Sequence, residues 1–230
     1  MVWLGEFALY VVIVLVITSL IRAFLIAPFI VPTGSMEHTI MEQDTILAWR
    51  PGAPQRGEIV VFEDKLDWLG PTPQVSFWKK ILPFFGLAAP EDAQYLVKRL
   101  IGLPGDHVAC CDARGRVTVN GTPLDESSYL YFTNEAAANV PFDYIVPQGR
   151  FFVMGDHRDG SKDSRFHICN GSQPTPELAF PELSTIQGKV VAIVSPTSRW
   201  RTFHIPATFA DIPPPTGTPP APTVAQWTCP

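Results

Sequence analysis

The chain has 230 residues, enough for one sizeable core once an apolar anchor is set aside. Hydrophobic residues make up 46% and charged residues only 17%, a low charge share that suits a protein partly in or on a membrane. Lys and Arg number 17 against 22 Asp and Glu, for a net charge of −5; they are scattered, with no basic stripe interleaved with aromatics, which argues against a nucleic-acid partner.

From Trp3 to Ile26 the chain is apolar except for Glu6, Thr18, Ser19 and Arg22. The stretch between the two charges makes about 22 Å of helix, short of the roughly 30 Å hydrocarbon core. With Glu6 in one headgroup layer and Arg22 snorkelling to the other, one span of about Trp3 to Ala27 is expected, and residues 1–27 are read as a transmembrane anchor ended by Pro28 and Pro32. A cleaved secretory signal is the competing reading, disfavoured by the lack of a basic n-region and of a small-residue site. No Lys or Arg precedes Arg22, so charge bias does not place the amino terminus inside.

Next comes Val31-Pro32-Thr33-Gly34-Ser35-Met36. Pro32 fixes its own φ and Gly34 takes φ values closed to other residues, so the pair can present the Ser35 hydroxyl at a tight bend. A serine nucleophile needs a base. The partner expected here is Lys98, in Tyr95-Leu96-Val97-Lys98-Arg99-Leu100-Ile101-Gly102-Leu103-Pro104-Gly105-Asp106, where strand alternation puts Leu96, Lys98 and Leu100 on one face. Only about one ordinary lysine in 2,500 is neutral at pH 7, so burial among those apolar neighbours must supply the missing bias toward the free amine.

The rest of the chain reads as short strands. Asp44 to Trp49 and Glu58 to Phe62 are joined by turns at Pro51-Gly52 and Arg56-Gly57. Trp68 to Ala89 gathers Phe77, Trp78, Phe84 and Phe85 around Lys79 and Lys80, a segment suited to the headgroup layer or to packing over a small core. Arg116 to Val119 followed by Asn120-Gly121 reads as a hairpin on a type I′ turn. It falls within a β-rich insertion, residues 107–147, that divides a catalytic core of residues 28–106 and 148–205. Arg150 to Met154 and Lys189 to Val194 are further strands, and residues 206–230 form a Pro-rich tail, extended or disordered beyond Asp211. Of Cys110, Cys111, Cys169 and Cys229, the neighbouring pair is not expected to bond; one of the two pairs with Cys169, or all four are isolated thiols. A zinc site of His107, Cys110, Cys111, His167 and Cys169 matches no common ligand spacing, and neither metal nor cofactor is expected.

Three motifs, Ser35-Met36 after the anchor, Lys98-Arg99 before Gly-Leu-Pro-Gly-Asp, and Gly155-Asp156-His157-Arg158-Asp159-Gly160-Ser161-Lys162-Asp163-Ser164-Arg165, stand in one order that resembles the signature boxes of bacterial type I signal peptidases. The resemblance covers about Phe24 to Pro196. It implies a mainly β fold, a coiled antiparallel sheet with a β-rich insertion behind one transmembrane helix. It also implies a Ser/Lys endopeptidase of the bacterial inner membrane whose catalytic domain faces outward and removes signal peptides from secretory preproteins with small residues at −1 and −3. By that resemblance Thr33 joins the Ser35 N–H as oxyanion donor and Ser161 orients the lysine amine. Arg99, Asp156, Asp163 and Arg165 are implied as ion-pair scaffolding, and Met36 packs beneath the pocket. His157 stands where the family usually has Asn and is read as a polar loop residue, not a triad histidine. A self-cleaving repressor shares the dyad but not the anchor. A mitochondrial processing peptidase fits the long insertion and the tail less well. A dead, tethered binding module would not keep Ser35, Lys98 and Ser161.

Overall fold

The computed structural model describes residues 2–70, 94–131, 140–170 and 173–219. An apolar helix, α1 (Val2–Phe24), is about 35 Å long. Its part from Gly5 to Phe24 has a mean hydropathy of 2.4 and is not buried, so by length and composition it can cross a membrane. The helix stops before the expected end of the span: Ile26 and Ala27 already pair with Trp49 and Ala48. Arg50 accounts for the stop. Its backbone N–H donates to Leu25 O (2.9 Å) and its Nε to Arg22 O (3.1 Å), satisfying carbonyls that a helix end leaves open.

The strands follow as β1 (Ile26–Ile30), β2 (Thr45–Trp49), β3 (Ile59–Glu63), β4 (Tyr95–Gly102), β5 (His107–Cys110), β6 (Thr118–Val119), β7 (Thr122–Pro123), β8 (Phe142–Ile145) and β9 (Phe152–Met154). After them come α2 (Ser164–His167), β10 (Cys169–Asn170), β11 (Gln173–Pro174), α3 (Pro176–Ala179), β12 (Ile186–Ser195) and β13 (Arg201–Thr202). The main sheet is antiparallel in the order β1-β2-β12-β3-β4-β9, with β13 beside β12. Pro28 is tolerated because β1 is the edge. β12 serves both halves, meeting β3 through Ile186–Lys189 and β2 through Lys189–Ser195; register shifts at each end of it bend and coil the sheet. At Gly188 a side chain would stand 2.8 Å from Trp49 O, so only glycine lets the strands approach there.

β3 and β4 are buried on both faces, which is why they read as continuous apolar runs. Val61 and Val97 face a core with Val31, Met36, Ile40 and Ile46; Val60, Phe62, Leu96 and Leu100 face Phe151 and Val153. Lys98 pairs with Val60 in register, on the second of these faces as alternation requires.

Between β4 and β9 the chain adds a second sheet, β7-β6-β5-β8, whose Val108, Val117, Val119, Leu124 and Phe142 share one core with Ile101, Phe152 and Met154 of the main-sheet strands. Asn120 (φ 51°) and Gly121 (φ 78°) make the expected tight hairpin, both in the left-handed region that a type I′ turn demands.

Two expectations are corrected here. The first part of the segment after Ile205 is docked: Phe209 and Ile212 are buried in the core that Val108 and Phe152 share, the Thr208 hydroxyl accepts the Asp125 N–H (2.7 Å), and Pro213 O accepts from Asn120 Nδ2 (2.8 Å), while residues 220–230 lie outside the described residues. Two large side chains suffice to dock a proline-rich segment, since prolines have little backbone freedom left to lose. The cysteine pairing also differs. Cys110 and Cys111 bond to each other, their Cα atoms 3.0 Å apart across a cis peptide, so neither is available to Cys169. The aromatic and lysine cluster of Phe77, Trp78, Lys79, Lys80, Phe84 and Phe85 lies outside the described residues.

Candidate active site

Thr33 is extended (φ −138°, ψ 154°), and Gly34–Met36 then form a single 3-10 turn closed by the Glu37 N–H on Gly34 O (3.0 Å). The turn is anchored from both ends. Val31 exchanges backbone bonds with Gln43 and Asp44 ahead of β2, while Val31, Met36 and Ile40 fill the sheet's core. Met36 is thus a core residue whose sulfur also meets the Asp156 N–H at 3.4 Å. Fixed this way, Ser35 is 7% exposed and its hydroxyl is held at one place.

Lys98 reaches that hydroxyl from the middle of β4, 63 residues along the chain, and Lys98 Nζ and Ser35 Oγ are directly hydrogen-bonded. The lysine is 2% exposed. Burial lowers its pKa from 10.5 to about 8, the pull of Asp163 and Asp156 toward the ammonium being too weak to reverse it and Arg165 adding to the decrease. The Thr33 hydroxyl donates to Ser35 Oγ at 3.4 Å, beside the nucleophile.

The residue after the lysine holds the rest of the site together. Arg99 grips Asp156 through two hydrogen bonds (2.8 and 2.6 Å) and donates to Gly57 O (2.7 Å), joining β4 to the loop after β9. Thr39, just past the serine turn, donates to Oδ2 of the same carboxylate (2.5 Å), the oxygen that Arg99 Nη2 also reaches. Within the loop, Asp163 Oδ2 accepts from the Gly155 N–H, the Ser161 hydroxyl and Arg165 Nη2 (2.9, 2.9 and 2.8 Å). Burial pushes the Asp163 carboxyl up, but Arg165, the Gly155 N–H and Lys98 outweigh it and hold the pKa below its ordinary value. Ser161 packs on Gly155, where a Cβ would also stand 2.5 Å from Ser35 O, so the glycine is what lets loop and turn touch. All the residues singled out from the sequence, Thr33, Ser35, Met36, Lys98, Arg99, Asp156, Ser161, Asp163 and Arg165, therefore converge on one place. The Ser161 hydroxyl is directed to Asp163.

His157 turns to the backbone of the serine turn. Its ring Nδ1 lies 3.1 Å from Gly34 O and 3.1 Å from Glu37 Oε2, and its backbone N–H donates to Ser35 O (3.1 Å), whereas the Ser35 hydroxyl is partnered by Lys98. Residues of the insertion take part as well, and no sequence motif marks them. Glu126 forms a buried bidentate pair with Arg158 of the loop and accepts from the Tyr129 hydroxyl (2.7 Å), while the Tyr129 ring lies under the Arg99 guanidinium at 4.1 Å. Arg158 was visible in the third motif; Glu126 sits in an ordinary polar turn, and only the fold brings it there.

A shallow cavity of about 10 Å³, room for about one water, opens beside Ser35. Val31, Pro32 and Thr33 line it from the serine segment, Tyr95, Leu96 and Val97 from β4, and Leu69 from the loop after β3.

The chain is similar to several known proteins. Residues 4–195 match the family described as "Signal peptidase, peptidase S26". A signal peptidase I of Mycobacterium tuberculosis is 33% identical over 220 residues, covering 86% of this chain and 74% of the relative. Signal peptidase I P of Bacillus subtilis subsp. natto is 29% identical over 197 residues, covering 79% and 91%. A crystal structure of a signal peptidase I from Enterococcus faecalis, 25% identical, superposes with a TM-score of 0.34 over 60% of this chain and 97% of that one. On the span of the family match and the identity to these relatives, the chain belongs to the signal peptidase family of serine peptidases, peptidase S26.

Proposed function

We propose that the protein is a membrane-anchored endopeptidase that cleaves signal peptides from secretory preproteins through a Ser35/Lys98 dyad. The observation that carries the reading is the direct hydrogen bond between Lys98 Nζ and Ser35 Oγ, made by a lysine that burial drives toward the free amine. With the amine neutral, the Ser35 O–H donates to it. Lys98 takes that proton as Oγ attacks the scissile carbonyl, and the oxyanion of the tetrahedral intermediate is met by the Ser35 N–H and the Thr33 hydroxyl. Collapse breaks the C–N bond, and the ammonium returns its proton to the departing amine. Water, deprotonated by the same amine, then hydrolyses the ester and frees Ser35.

Asp163, held by the Ser161 hydroxyl, acts on the lysine through its charge, and the Arg99–Asp156 and Arg165–Asp163 pairs hold β4 and the loop in register. In this reading the substrates carry small side chains at −1 and −3, with the −1 residue lying against the apolar walls beside Ser35. The chain from Phe24 to Ser35 reaches at most about 40 Å, so cleavage occurs near the bilayer surface, on the outer face of a bacterial inner membrane in this reading.

The test is to purify the protein in detergent and offer a preprotein with an Ala-x-Ala site. Wild type is expected to release the mature protein with a new amino terminus after the second alanine. Ser35→Ala and Lys98→Ala are each expected to lose nearly all cleavage, and appreciable activity in either variant overturns the dyad.

A further inference from the structure

The loop that leaves β3 is more tightly built than its exposed position requires. Asp64, 8% exposed, collects three backbone N–H groups on one carboxylate, from Leu66 (3.2 Å), Trp68 (3.1 Å) and Leu69 (2.8 Å). A carboxylate that gathers several amides in sequence sets the path of a loop. Beyond it the chain turns back, with Asp67 at φ 56° and the Gly70 N–H on Asp67 O (3.0 Å).

Trp68 fastens this loop to the catalytic machinery. Its indole stacks on His167 (centroids 4.4 Å apart, planes within 8°), meets the Phe62 ring edge-on, and donates from Nε1 to Leu178 O (2.6 Å). His167 ends α2, the helix that Asp163 caps and that carries Arg165. The loop is thus tied to the same short helix that supports the lysine's surroundings.

Leu69, the next residue, is 45% exposed, yet it lines the cavity beside Ser35 together with Pro32, Thr33 and Leu96. Among the residues lining that cavity, Leu69 alone comes from outside the serine segment and β4, and like Pro32 it is open to solvent. An exposed leucine on a free loop would yield to a bulky ligand. One held by three amide bonds and a stacked indole would not.

We infer that Leu69, fixed by the Asp64 and Trp68 contacts, is a specificity-determining residue: it forms the outer wall of the cavity and limits the size of the substrate side chain admitted next to the cleaved bond. The inference rests on the Ser35/Lys98 endopeptidase reading. A rim residue suits this role physically, because shortening it opens space without leaving a sealed void that the core must collapse around.

The experiment compares kcat/KM for two preproteins that differ only in the residue before the cut, Ala or Val, using full-length protein in detergent. Leu69→Ala is expected to shift the Val-to-Ala ratio toward Val by about tenfold, the scale set by a few methylenes in an apolar pocket. Leu69→Trp is expected to shift it the other way. Trp68→Ala, which unlatches the loop but leaves Leu69 in place, is expected to relax the ratio in the same direction as Leu69→Ala. An unchanged ratio in Leu69→Ala and Leu69→Trp, with wild-type cleavage intact and sensitive to Ser35→Ala, overturns the role of Leu69 alone. Failure of wild type to cut either preprotein overturns both readings.

Discussion

The pH dependence of cleavage tests the chemistry at its most exposed point. An ordinary lysine with a pKa of 10.5 is neutral in about one molecule in 3,000 at pH 7; lowered to about 8, Lys98 is neutral in about one in ten. Burial therefore raises the working fraction of enzyme roughly 300-fold, corresponding to about 3 kcal/mol. The base acts only when deprotonated, so kcat/KM is expected to fall about tenfold for each pH unit below 8 and to level off above it. The profile of kcat/KM is the one to measure, since it reports the free enzyme. The assay is initial-rate cleavage of a purified preprotein in mixed micelles between pH 5 and pH 10, repeated with Lys98→Arg. The arginine variant is expected to be inactive across the range, because guanidinium stays charged throughout. A wild-type limb at pH 10 or above would mean that the amine is not desolvated in the working enzyme. An acid limb that disappears in His157→Asn would transfer the base to the histidine beside the turn.

Three further outcomes follow from the same contacts. Removing the positive charge in Arg165→Met leaves Asp163 less compensated beside Lys98, so the acid limb of the pH profile should move above 8; a limb that stays or moves down contradicts the electrostatic account. Lys98 has a folded pKa below its unfolded one, so unfolded chains bind the extra proton between about pH 8 and 10.5 and stability should climb by roughly 3 kcal/mol across that window, the penalty being complete below 8. In Lys98→Met, denaturant unfolding should show none of that rise, and a lysine-independent rise would refute the linkage. Glu126→Ala strands the buried Arg158 guanidinium and is expected to cost about 3–5 kcal/mol in urea unfolding, whereas a cost under 1 kcal/mol would show the insertion to be merely apposed to the loop.

Much of this site could be read in the sequence because its key residues lie in short segments whose chemistry is local. The turn at Pro32 to Ser35, the apolar strand around Lys98 and the Asn120-Gly121 hairpin each carry their own signal of geometry or periodicity. What was not legible depends on long-range contact. Glu126 meets Arg158 across 32 residues and Thr39 meets Asp156 across 117, and nothing in their neighbours' patterns announces either. The docked segment around Phe209 and Ile212 was hidden by its composition: proline counts report a stiff chain, not whether two apolar side chains find a core. The early end of α1 depended on Arg50, a residue from another part of the chain that satisfies the helix's last carbonyls.

The buried charges explain how burial can still lower the pKa of a lysine in such crowded company. Three ion pairs surround or support it, Arg99 with Asp156, Arg165 with Asp163 and Arg158 with Glu126, and each acid has its own base. An unpaired carboxylate next to Lys98 would favour the ammonium and cancel the effect of burial, because attraction between charges strengthens in the same low-dielectric surroundings that penalise a lone one. Pairing each acid with an arginine, which keeps its proton at any working pH, spreads the field so that desolvation remains the largest influence on the amine. The scaffold that aligns β4, the serine turn and the loop thus also limits the pull of its own carboxylates toward the ammonium.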